Sequence, residues 1–151
     1  MHKTIIADTS CFIILTNIAE LHLLQQVYGQ VITTSEIAAE YGEPLPEWVS
    51  IATVKDLDKQ KILEMQLDRG EASALALALE TPDSTMIIDD YRARRAAKNL
   101  GINFTDTIGV IVKAKLIGVI PTIKPLLSKI KKTDFRIAEE IEQLALLEAG
   151  E

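Results

Sequence analysis

Thr4-Ile5-Ile6-Ala7-Asp8-Thr9-Ser10 is an apolar run that stops abruptly at a carboxylate and two hydroxyls. A run of this kind predicts a buried strand, so its polar ending lies at the strand's C-terminal end, where open α/β sheets place ligand sites. Two readings of Asp8 stand open here. It is either the N-cap of the next helix, since Asp, Thr and Ser all cap well, or the first carboxylate of a site. What separates them is whether other acids arrive at equivalent places.

Outward from this stretch, apolar β-type runs alternate with helical patterns. Ser10 to Ile18 and Leu21 to Tyr28 read as helices, the second closed by Gly29. Val31-Ile32 reads as a strand, and Thr34 or Ser35 caps a helix carrying Glu36, Ile37 and Glu40. After the Pro44 and Pro46 loop, Ile51 to Val54 alternates like an edge strand. Leu57 to Leu67 is a polar amphipathic helix, with Ile62, Leu63 and Leu67 on one face. Gly70 to Leu79 is so rich in alanine and leucine that burial on several sides is expected, with Glu71 in its first turn. Met86-Ile87-Ile88 is a strand ending in Asp89-Asp90, Tyr91 to Leu100 a helix, Ile102 to Phe104 a brief strand, and Thr107 to Leu116 a helix. Ile123 to Ile130 follows as a helix, and Phe135, Ile137, Ile141, Leu144 and Leu147 mark an amphipathic C-terminal one. This alternation predicts a three-layer α/β/α sandwich around a mostly parallel sheet, as a single domain over residues 1–151.

The composition suits that fold, with 48% hydrophobic and 25% charged residues. No apolar run approaches the roughly 20 residues that cross a bilayer, and Met1-His2-Lys3 opens onto a short hydrophobic stretch, so a cytoplasmic protein without a membrane partner is expected. The single cysteine, Cys11, excludes an internal disulfide and, next to Phe12-Ile13-Ile14-Leu15, reads as a buried inert thiol. His2 and His22 lack a second histidine at ligand spacing and read as structural.

In a parallel sheet Asp8, Asp89 and Asp90 share one rim, and Glu40 and Glu71 lie on helices that could face it. Oxygen donors without a His or Cys cluster suit a hard cation, Mg²⁺ or Mn²⁺. Each acid also has a plainer reading: Glu71 favours the positive end of its helix, Glu40 is a solvated residue near a helix end, and Asp89 caps the next helix.

At these residues the chain resembles the PIN-domain ribonucleases, which include the VapC-type toxins. Thr4 to Ser10 looks like their strand-Asp-Thr-Ser opening, Ile37-Ala38-Ala39-Glu40-Tyr41 like their helix-borne glutamate, and Gly70-Glu71-Ala72 like their acid heading an alanine-rich helix. Ile87-Ile88-Asp89-Asp90 followed by Arg92, Arg94 and Arg95 looks like their next acid-ended strand. The chain resembles most a sparsely characterised PIN subgroup that continues as Thr105-Asp106-Thr107-Ile108-Gly109-Val110 here, and the resemblance runs from about Thr4 to Leu147. It implies metal-dependent hydrolysis of RNA by an ion on Asp8, Glu40, Glu71 and Asp90, with Asp89 and Asp106 as further ligand candidates. Either Asp89 or Asp90 turns inward, the analogy favouring Asp90. Asp106 either joins the metal shell or caps the next helix. Thr9, Ser10, Arg92, Arg95, Lys98 and Thr107 fall on the substrate side, with Ser10 or Thr9 supporting the ligands or touching the scissile phosphate.

Net charge is −6, but residues 1–90 carry 15 acids and 5 bases whereas residues 91–136 carry 2 acids and 11 bases. That basic block, continued by Lys113, Lys115, Lys124, Lys129, Lys131 and Lys132, could draw RNA phosphates toward the rim or be a solvated surface. Trp48 and Tyr91 are weak candidates for stacking a base, and Trp48 reads equally as a core plug. An antitoxin protein and a second copy of the chain are further expected partners. Two rival readings remain: a PIN-like module that binds RNA or protein without cutting, and a haloacid-dehalogenase-type phosphotransferase, which wants an acid where this chain has Ser10.

Overall fold

The computed structural model describes residues 3–151, so His2 lies outside the described residues. Five strands, β1 (Thr4–Ala7), β2 (Val31–Thr34), β3 (Val49–Ala52), β4 (Ser84–Ile87) and β5 (Asn103–Thr105), form one sheet in the order β3-β2-β1-β4-β5. Every pairing is parallel, which strand-helix-strand crossover connections make possible. The helices are α1 (Thr9–Asn17), α2 (Leu23–Tyr28), α3 (Ser35–Tyr41), α4 (Leu57–Leu63), α5 (Arg69–Leu79), α6 (Tyr91–Asn99), α7 (Thr107–Leu116), α8 (Lys124–Lys131) and α9 (Glu139–Glu148). The expected α/β sandwich is the observed one.

The central strand is β1, whose Ile5, Ile6 and Ala7 are all buried. From it the chain builds outward through β2 and β3, then returns to β1's other side with β4 and β5. The strand order therefore reverses between β1 and β4, and at such a switch point the flanking loops diverge and leave a crevice. Asp8 follows β1, and Asp89 lies two residues beyond β4. The backbone fixes both: Asp8 N–H donates to the Ile87 carbonyl at 3.1 Å and Ile88 N–H to that of Thr105 at 2.9 Å. From β2, the buried Thr33 hydroxyl donates to the Ala7 carbonyl at 2.8 Å, pinning the residue before Asp8.

Helix α5 is buried along nearly its whole length, from Gly70 and Ala72 to Ala78, and touches β1, β2 and β4 as well as α3, α4 and α6. Its small residues allow that approach, and its one buried hydroxyl, Ser73, is satisfied by Thr34 at 2.7 Å and by the Gly70 carbonyl.

Some local expectations shift. The edge strand starts at Val49, two residues before its predicted start at Ile51. Helix α4 stops at Leu63 instead of Leu67, because Met65 and Gln66 N–H bond three residues back and tighten the chain into a turn. Its buried residue is Gln60, whose amide donates to Glu36 at 2.7 Å, while Ile62 is exposed. The C-terminal helix begins only at Glu139, after Phe135 and Ile137. Ala145 and Ala149 fill its buried face, and Ile141, Leu144 and Leu147 point outward. Cys11 is fully buried, and Trp48 packs against the core, as a plug would. No described helix is long and apolar enough to cross a membrane.

Candidate functional site

Asp8 occupies the N-cap position of α1, yet its side chain makes no capping hydrogen bond. It is 4% exposed, and its Oδ1 has no hydrogen-bond partner. A buried carboxylate oxygen without a partner is costly, so it marks a site that expects something else to satisfy it. Burial, reinforced by the charges of Asp68, Glu40 and Asp89, pushes the Asp8 carboxyl up to about 7. The cap reading of Asp8 is therefore the weaker of the two.

Of the two acids after β4, Asp89 turns inward, which corrects the preference for Asp90. Its Oδ1 accepts from Thr107 N–H at 2.9 Å, and its Oδ2 accepts from the Thr107 hydroxyl at 2.7 Å and the Ser10 hydroxyl at 2.8 Å. Burial raises its pKa, partly offset by these bonds. Asp90 is exposed and is the N-cap of α6, with Oδ2 accepting from Ala93 N–H at 3.1 Å. The chain turns from strand to helix between the two, so the first acid faces the crevice and the second faces the helix start. Ser10 and the fully buried Thr107 thus hold Asp89 in place and do not reach toward solvent; Thr9 is buried too.

Glu40 stands in the last turn of α3, exposed, and its carboxylate lies against the start of α5. A Cβ on Gly70 would sit 2.8 Å from Glu40 Oε2, so glycine leaves room for the end of that side chain, while Asp68 Oδ1 at 3.5 Å would be in ordinary contact. Asp68 caps α5 by accepting from Glu71 N–H at 2.8 Å, and Glu71 Oε1 reaches back to Asp68 N–H at 3.4 Å, a reciprocal capping box. Half-burial, with Asp68, Asp90 and Asp8 nearby, pushes Glu71 up to about 8. Asp106 caps α7 through Gly109 N–H at 2.7 Å and pairs with Arg94 at 3.5 Å, which favours its reading as a cap.

Residues 4–151 match a family model described as a PIN domain. The chain belongs to the PIN-domain family. No curated protein and no solved structure matches it.

The PIN domain is a nuclease-type fold, and its members typically use divalent metals. The donor set here fits such an ion chemically: the acids at the crevice supply oxygen alone, and Asp8 offers a buried oxygen without a partner. Among the described residues no three acidic, His or Cys side chains are gathered into a ready cage. Asp68, Asp90 and Asp106 each commit one oxygen to a helix N-terminus, and the other oxygen of Asp106 lies 3.5 Å from Arg94.

Asp68 is the acid that sequence reasoning missed. Its spacing to Glu71 is that of a capping box. The basic block also divides on folding. Lys115 binds the Ala149 carbonyl and Glu151, Lys129 pairs with Glu20 and Lys131 with Glu142, while Lys113 lies over the Tyr28 ring. Arg94 is spent on Asp106 and Phe104. On α6, Arg92, Arg95 and Lys98 are exposed and make no ion pair among the described residues, with Ala93 and Ala97 buried beneath them. Tyr91 is exposed at the head of the same helix. His22 is exposed and lies 3.5 Å from Glu20, away from these acids, as a structural residue would.

Proposed function

We propose that this PIN domain is a metal-dependent endoribonuclease that hydrolyses RNA phosphodiester bonds and leaves a 5′-phosphate and a 3′-hydroxyl. The observation that carries the reading is the buried, unpartnered Asp8 Oδ1 at the switch-point crevice, among acids whose protons burial and mutual repulsion retain. Asp8, Glu40, Glu71 and the inward-facing Asp89 would hold Mg²⁺ or Mn²⁺, which when bound lowers the pKa of water for in-line attack and stabilises the leaving oxygen. Asp89 is held in place beside Asp8 by the Ser10 and Thr107 hydroxyls. Arg92, Arg95 and Lys98 draw the RNA backbone to the rim by charge. Among the described residues no histidine lies at the crevice to activate Ser10, and its hydroxyl donates a hydrogen bond to Asp89, so Ser10 is not a nucleophile.

The test is cleavage of single-stranded RNA with Mn²⁺ by the wild-type protein and by Asp8→Asn. Uncut RNA under those conditions sinks the reading, as does an Asp8→Asn variant that cuts equally well. A toxin role in the cytoplasm, with a neighbouring antitoxin protein, predicts growth arrest on expression that the antitoxin relieves. A homodimer predicts a doubled mass in a sizing measurement. The lack of a ready cage among the described residues favours one rival, a PIN module that binds RNA without cutting. That rival predicts RNA binding that survives EDTA and no cleavage.

A further inference from the structure

We infer that the cavity beside Glu40 and Gly70 is the nucleobase pocket of this centre, and that it takes guanine from single-stranded RNA, read by the Glu36 carboxylate. The inference rests on the nuclease reading above and names the base that its site selects.

Glu40 and Gly70 border a cavity of about 490 Å³, within the roughly 300–1,000 Å³ of small-ligand sites. Its apolar walls are Ala39, Val54 and Leu57, and Leu57 is 56% exposed although hydrophobic. Beyond Glu40, Glu36 and Arg69 supply charge of both signs. Apolar walls with a few polar groups suit a nucleobase, whose flat faces pack and whose edge forms hydrogen bonds once it is unpaired.

Glu36 is held as an ordinary surface glutamate is not. Its Oε1 accepts from the Ser35 hydroxyl at 2.7 Å, and its Oε2 accepts from the Gln60 amide at 2.7 Å. Gln60 is the buried residue of α4, 4% exposed, and its own Oε1 has no hydrogen-bond partner among the described residues. A leucine there would bury without leaving an unsatisfied oxygen. As packing, then, the glutamine is costly, and the carboxylate that it aims accounts for it. Burial would raise the Glu36 carboxyl, but the bonds from Ser35 and Gln60 and the charge of Arg69 outweigh it and hold the group below its ordinary value. It is therefore an acceptor at neutral pH. Each of its oxygens spends one lone pair on the protein and keeps another, which leaves two acceptors side by side. Among the four RNA bases, only guanine offers two adjacent donors on its Watson–Crick edge, N1–H and the N2 amino group. Its neighbouring O6 is an acceptor that suits the Arg69 guanidinium.

The test uses fluorescein-labelled single-stranded pentaribonucleotides with guanosine, adenosine or inosine at the centre of a uridine run. Binding is read by anisotropy in Ca²⁺, and cleavage in Mn²⁺. Wild type is expected to bind the guanosine RNA about tenfold more tightly than the adenosine RNA, with inosine, which lacks the N2 amino group, between them. Glu36→Gln should cut that ratio to about twofold or less, with a melting temperature within about 2 °C of wild type. Gln60→Leu should lower the ratio too, whereas a glutamine that serves packing alone would move the melting temperature and leave the ratio. If Glu36→Gln unfolds, Arg69→Gln, a change at an exposed residue, replaces it with the same expectation. Equal binding of guanosine and adenosine RNA by wild type, or an undiminished ratio in Glu36→Gln or its replacement, overturns the pocket, while cleavage in Mn²⁺ keeps the nuclease reading. A guanosine preference that follows Glu36, without cleavage, overturns the nuclease reading and leaves a guanine-binding module. Absence of RNA binding and cleavage overturns both.

Discussion

Asp8→Asn is expected to stabilise the metal-free protein, and increasingly so as pH rises. In the folded chain the Asp8 carboxyl titrates at about 7 against an ordinary value of 3.8, chiefly because it is buried and secondarily because Asp68, Glu40 and Asp89 are close. The folded state therefore holds this proton more tightly than the unfolded chain, and stability falls as pH rises from the unfolded pKa through the folded one. A shift of about three units corresponds to roughly 4 kcal/mol once both states are ionised. Between about pH 5 and about pH 8, linkage assigns about 2 to 3 kcal/mol of that loss to Asp8. The assay is urea denaturation in EDTA for wild type and Asp8→Asn at both pH values. Packing effects of the asparagine amide are independent of pH and cancel in the difference between the two. The stability advantage of Asp8→Asn should grow by about 2 to 3 kcal/mol over that interval. An advantage that stays constant, or shrinks, refutes the claim that Asp8 is a proton-retaining buried acid.

Three more outcomes follow from the same geometry. Mn²⁺ affinity should rise with pH through about 7 to 8, because Asp8 and Glu71 must release protons to bind the ion; calorimetry in buffers of different ionisation enthalpy would show that release, and a flat profile would count against it. Gly70→Ala should leave stability unchanged or raise it by up to about 1 kcal/mol, since alanine favours a helix, while pushing the flexible end of Glu40 aside and weakening Mn²⁺ binding; undiminished binding would show that the gap above Gly70 is unused. Thr107→Val should cost about 1.5 to 3 kcal/mol in urea denaturation, because it strips a hydroxyl bond from the carboxylate of Asp89, and Ser10→Ala should cost less, its hydroxyl being only half-buried.

The sequence by itself determined the fold class and the chemistry of the rim. Apolar runs ending in Asp8 and in Asp89-Asp90 can be buried strands with polar ends, and the alanine-rich run after Glu71 can only be a helix enclosed by other elements. Both are local properties, carried by neighbouring residues. The order β3-β2-β1-β4-β5 is not local, and it alone puts the ends of β1 and β4 side by side at a switch point. Which of two adjacent acids faces that crevice depended on where α6 begins, because its first N–H groups took Asp90 as their cap and left Asp89 to Ser10 and Thr107. The basic block looked continuous in sequence, yet pairing with Glu20, Glu142 and Glu151, brought in from other elements, left Arg92, Arg95 and Lys98 as its exposed part on α6. Glu40 shows the same division: its place on a helix is local, and only the packing of α3 against α5 brought its carboxylate against Gly70.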